Sequence, residues 1–136
     1  MYWDANLETL KPAALQELQL NRLRQTVERA ALSPFYSRRL QEAGVTAAGL
    51  RSLEDIRRIP LTTKDDLRTY GREMLTRPLS DMVRLHASSG TTGQATVIYY
   101  TRADIATWAD LVARSLYMTG MRAADVFQNM MGYGLV

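Results

Sequence analysis

Between His86 and Thr101 the chain reads HASSGTTGQATVIYYT, and six consecutive positions, Ser88, Ser89, Gly90, Thr91, Thr92 and Gly93, hold four hydroxyls and two glycines. The chemistry such a stretch could do is anion binding. A phosphate needs several hydrogen-bond donors converging on one point, and backbone N–H groups supply them where glycine lets the chain turn and approach closely. The hydroxyls add further donors. The spacing is not that of a Walker A loop, because Gln94 stands where a lysine would be needed and a strand-like segment follows in place of a helix. Nor are the glycines spaced as in a dinucleotide fingerprint. The same residues also read as a polar hairpin turn, where Gly and Thr are ordinary. A hairpin, however, closes with about two to five residues and rarely collects four hydroxyls. On the residues alone, both readings stand.

Few other groups offer chemistry. The 136 residues contain no cysteine and one histidine, so disulfides, thiolate nucleophiles and histidine-based metal clusters are excluded, and no metal ligands are expected. His86 is open to three readings, as a general base, a nucleotide contact or a packed strand histidine, and no acid can be assigned to orient it. The net charge of +3 comes from basic residues scattered along the chain, with no tract suited to nucleic acid or a membrane surface. Fifteen of the seventeen are arginine, which suits bidentate phosphate or carboxylate contacts and equally reflects a compositional bias. The start, MYWDANLETLKP, lacks the pattern of a secretory leader, and no apolar run reaches the length of a membrane span. The expected setting is a reducing cytoplasm.

Helices and then strands must position these residues. Pro12 suits a first helical turn, and Leu15, Leu18, Leu23 and Val27 predict an apolar stripe through about Ala31. Ser33-Pro34 opens a second helix that turns Phe35, Tyr36 and Leu40 inward and ends at Gly44. Ser52 and Asp55 cap a short turn, Pro60 breaks it, and Thr63 caps KDDLRTYGREML. From Ser80 the pattern changes: MVRLHAS alternates at period two and TVIYYT is β-branched and aromatic, so two strands flank the hydroxylated stretch. A helix from Asp104 through Met118 follows, closed by Gly120, and DVFQNMM reads as a third strand. Trp108, Met118, Met121, Met130 and Met131 read as core or interface side chains. The expected fold class is α/β: a helical subdomain over residues 1–78, then the beginning of a larger nucleotide-binding domain over 79–136 that stops in mid-domain.

ASSGTTG resembles the phosphate-binding loop of the adenylate-forming enzymes, and one branch, the phenylacetate-CoA ligases, is similar through LQLNRLRQTV, SPFYSRRLQEAGV, SLEDIRRIPLTTKDDLR, VRLHASSGTTG, VARSLYMTGMRAADVFQN and GYGL. The resemblance implies attack of an aryl-acid carboxylate on the α-phosphate of Mg-ATP, then displacement of AMP by coenzyme A. It implies that Ser88, Ser89, Gly90, Thr91, Thr92 and Gly93 cradle the departing phosphates by preorganised donors. Gln94 and Ala95 depart from the Lys-Pro common in that family, removing one positive charge at the loop exit. Lys64 is implied as a catalytic cation that swings toward the reacting carboxylate or phosphate, or else as a solvated first-turn lysine. Tyr133, in GYGL, is implied to stack on the substrate ring, or else to be a loop tyrosine with its hydroxyl in water.

ATP, Mg2+ and coenzyme A are the ligands the resemblance implies for the full-length family. The 136 residues alone are expected to be inactive, since most of the transition-state machinery falls outside them, and whether they bind any of these ligands is left open. An open sheet edge and an uncovered apolar face further predict a homo-oligomer or pairing with a missing C-terminal portion. A catalytically inactive remnant acting as a phosphate-binding or assembly module is the second functional class left open.

Overall fold

Proline starts the first long helix and serine joins it to the next. The structure, a computed structural model, describes residues 2–88 and 95–130. Helix α1 (Ala5–Glu8) precedes α2 (Pro12–Ala30), where Pro12 needs no N–H partner. Ser33 is fully buried; its Oγ donates to the Ala30 carbonyl at 3.0 Å and accepts from Tyr36 N–H at 3.2 Å, so one hydroxyl closes α2 and caps α3 (Pro34–Glu42). Beyond α3, Gly44 takes φ +62°. The Gly44 and Val45 amides then reach the Gln41 and Leu40 carbonyls at 3.0 and 2.9 Å, a Schellman closure. That reversal folds Val45 back onto Leu40, and Val27, Leu40, Val45 and Leu50 form the core, flanked by Leu20, Leu23 and Ile59. Leu15, expected in the stripe, is exposed, because only the later turns of α2 meet the chain returning after α3.

Helix α4 (Lys64–Tyr70) begins with a capping box in which Thr63 and Asp66 satisfy each other's amides. It stops at Tyr70, short of the Leu75 that the sequence pattern allowed. The chain turns there, and the Glu73 carbonyl accepts from Phe35 N–H at 3.2 Å while the Phe35 and Tyr70 rings lie 5.4 Å apart. Gly71 permits this: a Cβ there would come within 2.7 Å of the Leu67 carbonyl oxygen.

Strands β1 (Met82–Ala87) and β2 (Val97–Thr101) pair antiparallel, with Arg84 opposite Tyr100, Leu85 opposite Tyr99, His86 opposite Ile98 and Ala87 opposite Val97. Thr101 ends β2 and caps α5 (Arg102–Met118) through a box with Asp104, two residues earlier than the sequence reading placed the helix start. The N-terminal segment docks on α5: Trp3 Nε1 donates to Asp110 at 2.9 Å, and Arg114 pairs with Glu8 at 3.3 Å. The expected third strand is corrected. Residues 125–130 form no strand, and Val126 and Met130 are 99% and 86% exposed, with no neighbouring strand among the described residues. Among the described residues the sheet has two strands, and no helix is long and apolar enough to cross a membrane.

Candidate functional site

The hydroxylated stretch springs from a closed neck. Beyond the last ladder pair, Ser88 N–H donates to the Thr96 carbonyl at 3.0 Å, and the Ser88 Oγ accepts from Thr96 N–H at 3.0 Å. Residues 89–95 lie between these two positions, more than a tight hairpin needs. Ser88 thus spends its oxygen on the neck and keeps its hydroxyl proton to donate. Thr96 is only 5% exposed, and its Oγ1 is buried with no hydrogen-bond partner, an uncommon state for a hydroxyl at the base of a loop. Strand propensity hid Thr96 from the sequence reading. Ser89, Gly90, Thr91, Thr92, Gly93 and Tyr133 lie outside the described residues.

The helical region reaches this neck through the turn after α4. A cleft of about 320 Å³ separates that turn from β2 and is lined by Leu67, Arg68, Arg72, Ala95, Val97 and Tyr99 among others. Ala95 is the described residue at the loop exit, and Arg68 and Arg72 line the same cleft as it. Arg68 Nη1 pairs with Asp65 at 2.7 Å, while its Nε is buried without a partner. No motif singles out either arginine, because their placement depends on where α4 ends. Lys64 occupies the first residue of α4 and is exposed.

The frame beneath Lys64 is well tied. The Asp66 carboxylate accepts from Thr63 N–H at 2.8 Å and from the Thr63 hydroxyl at 2.9 Å, and Arg39 Nη1 lies 3.3 Å away. These contacts, the Thr63 amide foremost, hold the Asp66 carboxyl below its ordinary value despite some desolvation. Arg39 Nη2 also donates to the Leu61 carbonyl at 2.8 Å, fixing the segment that enters α4.

His86 belongs to an aromatic cluster. Its ring lies 5.2 Å from both Tyr100 and Trp108 in edge-on geometry, and Tyr100 stacks on Trp108 at 5.6 Å. His86 thus touches two aromatic neighbours while its residue remains exposed on β1, and Trp108 belongs to the same contact. Among the described residues no group of three or more His, Asp or Glu side chains could hold a metal ion.

No family model matches the chain. The phenylacetate-coenzyme A ligase of Thermus thermophilus is 46% identical over 140 residues, covering 99% of this chain and 31% of that ligase. The Pseudomonas putida ligase of the same name is 44% identical over 143 residues, covering 99% and 33%. Among solved structures, 2-hydroxyisobutyryl-CoA ligase in complex with 2-HIB-AMP and CoA superposes with a TM-score of 0.83 at 35% identity, covering 91% of this chain and 28% of that one. The chain spans about a third of the length of the curated relatives it matches. Sequence and fold together place it with the phenylacetate-CoA ligases of the adenylate-forming superfamily, as an N-terminal portion of that family.

Proposed function

We propose that these residues supply the phosphate-binding part of an aryl-acid CoA ligase, which activates a carboxylate with ATP as an acyl-adenylate and passes the acyl group to coenzyme A. The observation that carries this reading is a sequence of four hydroxyls and two glycines bounded by a neck that Ser88 and Thr96 close. In the first step the acid's carboxylate oxygen bonds to the α-phosphorus and pyrophosphate leaves. Negative charge gathers on the leaving group, and the donors of residues 88–93 meet it without reorganising. In the second step the coenzyme A sulfur bonds to the acyl carbon and AMP leaves. Lys64 is assigned to steady the reacting oxygens, and Tyr133 to the wall of the aryl pocket. Phenylacetate is the proposed acid, and the cytoplasm the proposed setting.

Residues 1–78 are taken as the helical subdomain and 79–136 as the beginning of the nucleotide-binding domain. Val83, Leu85, Ile98, Leu111 and Val112 are exposed on the hairpin and α5, and the remaining two-thirds of a ligase is the proposed cover for them. No observation favours an inactive remnant.

A chimera tests the proposal. These 136 residues replace the matching segment of the Thermus thermophilus ligase, and release of AMP and thioester is measured with phenylacetate, ATP and coenzyme A. The chimera should turn over, and Thr92→Val should lower kcat/KM by about 10²-fold. A folded chimera that forms no acyl-adenylate counts against the reading. The 136-residue polypeptide alone should give no thioester.

A further inference from the structure

Three arginines line one cleft at the end of the hairpin opposite the loop neck. It measures about 570 Å³ and lies where α2, the turn into β1 and the start of α5 meet; Arg29, Arg77 and Arg102 line it together with Thr76 and Ser80. All three arginines are exposed. None takes part in the four ion pairs found among the described residues, which are Arg39 with Asp66, Arg58 with Asp55, Arg68 with Asp65, and Arg114 with Glu8. Two carboxylates, Asp81 and Asp104, share the cleft. Asp104 is committed to Thr101, accepting from its N–H at 2.8 Å and its hydroxyl at 2.7 Å. Three positive charges against two negative ones leave the hollow net positive, with its arginine forks free.

Three like charges around one hollow repel each other, and a multiply charged anion removes that repulsion. A single carboxylate offers one charge and two oxygens, whereas a phosphate ester offers up to two charges and three oxygens to planar guanidinium forks. The volume falls within the range of about 300–1,000 Å³ that holds small ligands. Strand β1 separates this cleft from the neck by six residues, roughly 20 Å at about 3.3 Å each, so one phosphate cannot touch both.

We propose that this cleft is a second phosphate site, distinct from the hydroxyl-glycine loop, for a multiply charged phosphate ligand. Its test involves no ligase turnover, so it stands or falls apart from the function proposed above. The 136-residue protein is titrated with inorganic pyrophosphate, with adenosine 3′,5′-bisphosphate and with ATP, while NMR follows the arginine Nε–Hε signals. The signals of Arg77 and Arg102 should shift with at least one probe, and raised salt should weaken the effect. Arg77→Gln and Arg102→Gln should each weaken the binding seen at the cleft about tenfold, whereas with Thr91→Val and Thr92→Val, which alter the separate loop, the Arg77 and Arg102 signals should still shift. Preference for the bisphosphate or ATP over pyrophosphate would mark a nucleotide as the source, and equal binding would mark the phosphate groups alone; either supports the site. Failure of all three probes to bind at about 1 mM, or binding that moves no guanidinium signal and disappears with the threonine variants, overturns it.

Discussion

Single side chains set the local geometry around α4. Asp66 closes the helix start and receives Arg39, and its carboxyl is held below its ordinary value by the Thr63 amide and hydroxyl and by the guanidinium. A depressed folded-state value means that the carboxylate stabilises the fold above the unfolded value of about 3.9, and that the contribution fades as pH falls through the lower folded value. Asp66→Ala should therefore lower the thermal midpoint at neutral pH. The gap to the parent should close in acid, as followed by circular dichroism between about pH 7 and pH 2. A gap of equal size at both ends would show that packing, not charge, is responsible. The T-x-x-D pattern of this box was legible in the sequence, whereas Arg39 was not, because it lies 27 residues away and only α3 packing beside α4 brings it in.

Elements are held mainly at their ends. Ser33 bridges two helices with one buried hydroxyl, so Ser33→Ala should cost about 1–2 kcal/mol in urea unfolding, toward the high end because the Ala30 carbonyl loses that donor. Gly44 sits at φ +62° with open space around the position of a Cβ. Gly44→Ala should thus cost about 1 kcal/mol through backbone strain alone, and Gly44→Asn less, since asparagine tolerates the left-handed region. Equal losses for the two variants would contradict that account. The helix stops at Ser33 and Gly44 were readable from residue type, because caps are local. The end of α4 was not, since Gly71 and the Glu73 carbonyl answer to Leu67 and Phe35 in the folded chain.

Across the whole molecule, burial is uneven. Val27, Leu40, Val45 and Leu50 make a tight core on the helical side, and Leu50→Ala should cost about 2–5 kcal/mol through the cavity it leaves. On the hairpin side, Leu85 remains 61% exposed, and Val83, Trp108, Leu111 and Val112 are open as well. The isolated chain should bind a hydrophobic dye and self-associate at micromolar concentration in sedimentation. The chimera with the ligase remainder, the proposed cover for that face, should do neither. A monomeric, dye-free chain would show that the exposed side chains need no cover.

The sequence by itself determined the long helices, the caps at Ser33, Gly44 and Thr63, the two strands and the hydroxyl-glycine stretch between them, because each depends on residues within a turn or two of one another. It could not determine that residues 125–130 would form no strand among the described residues, that Ser88 and Thr96 would close a neck, or that Arg68 and Arg72 would line a cleft with Ala95 at the loop exit. Nor could it bring Arg29, Arg77 and Arg102 to one cleft, since residues up to 73 positions apart meet only when α2, β1 and α5 pack together. Hydrogen bonds between near neighbours leave a pattern in the chain; the convergence of distant charges is settled by packing alone.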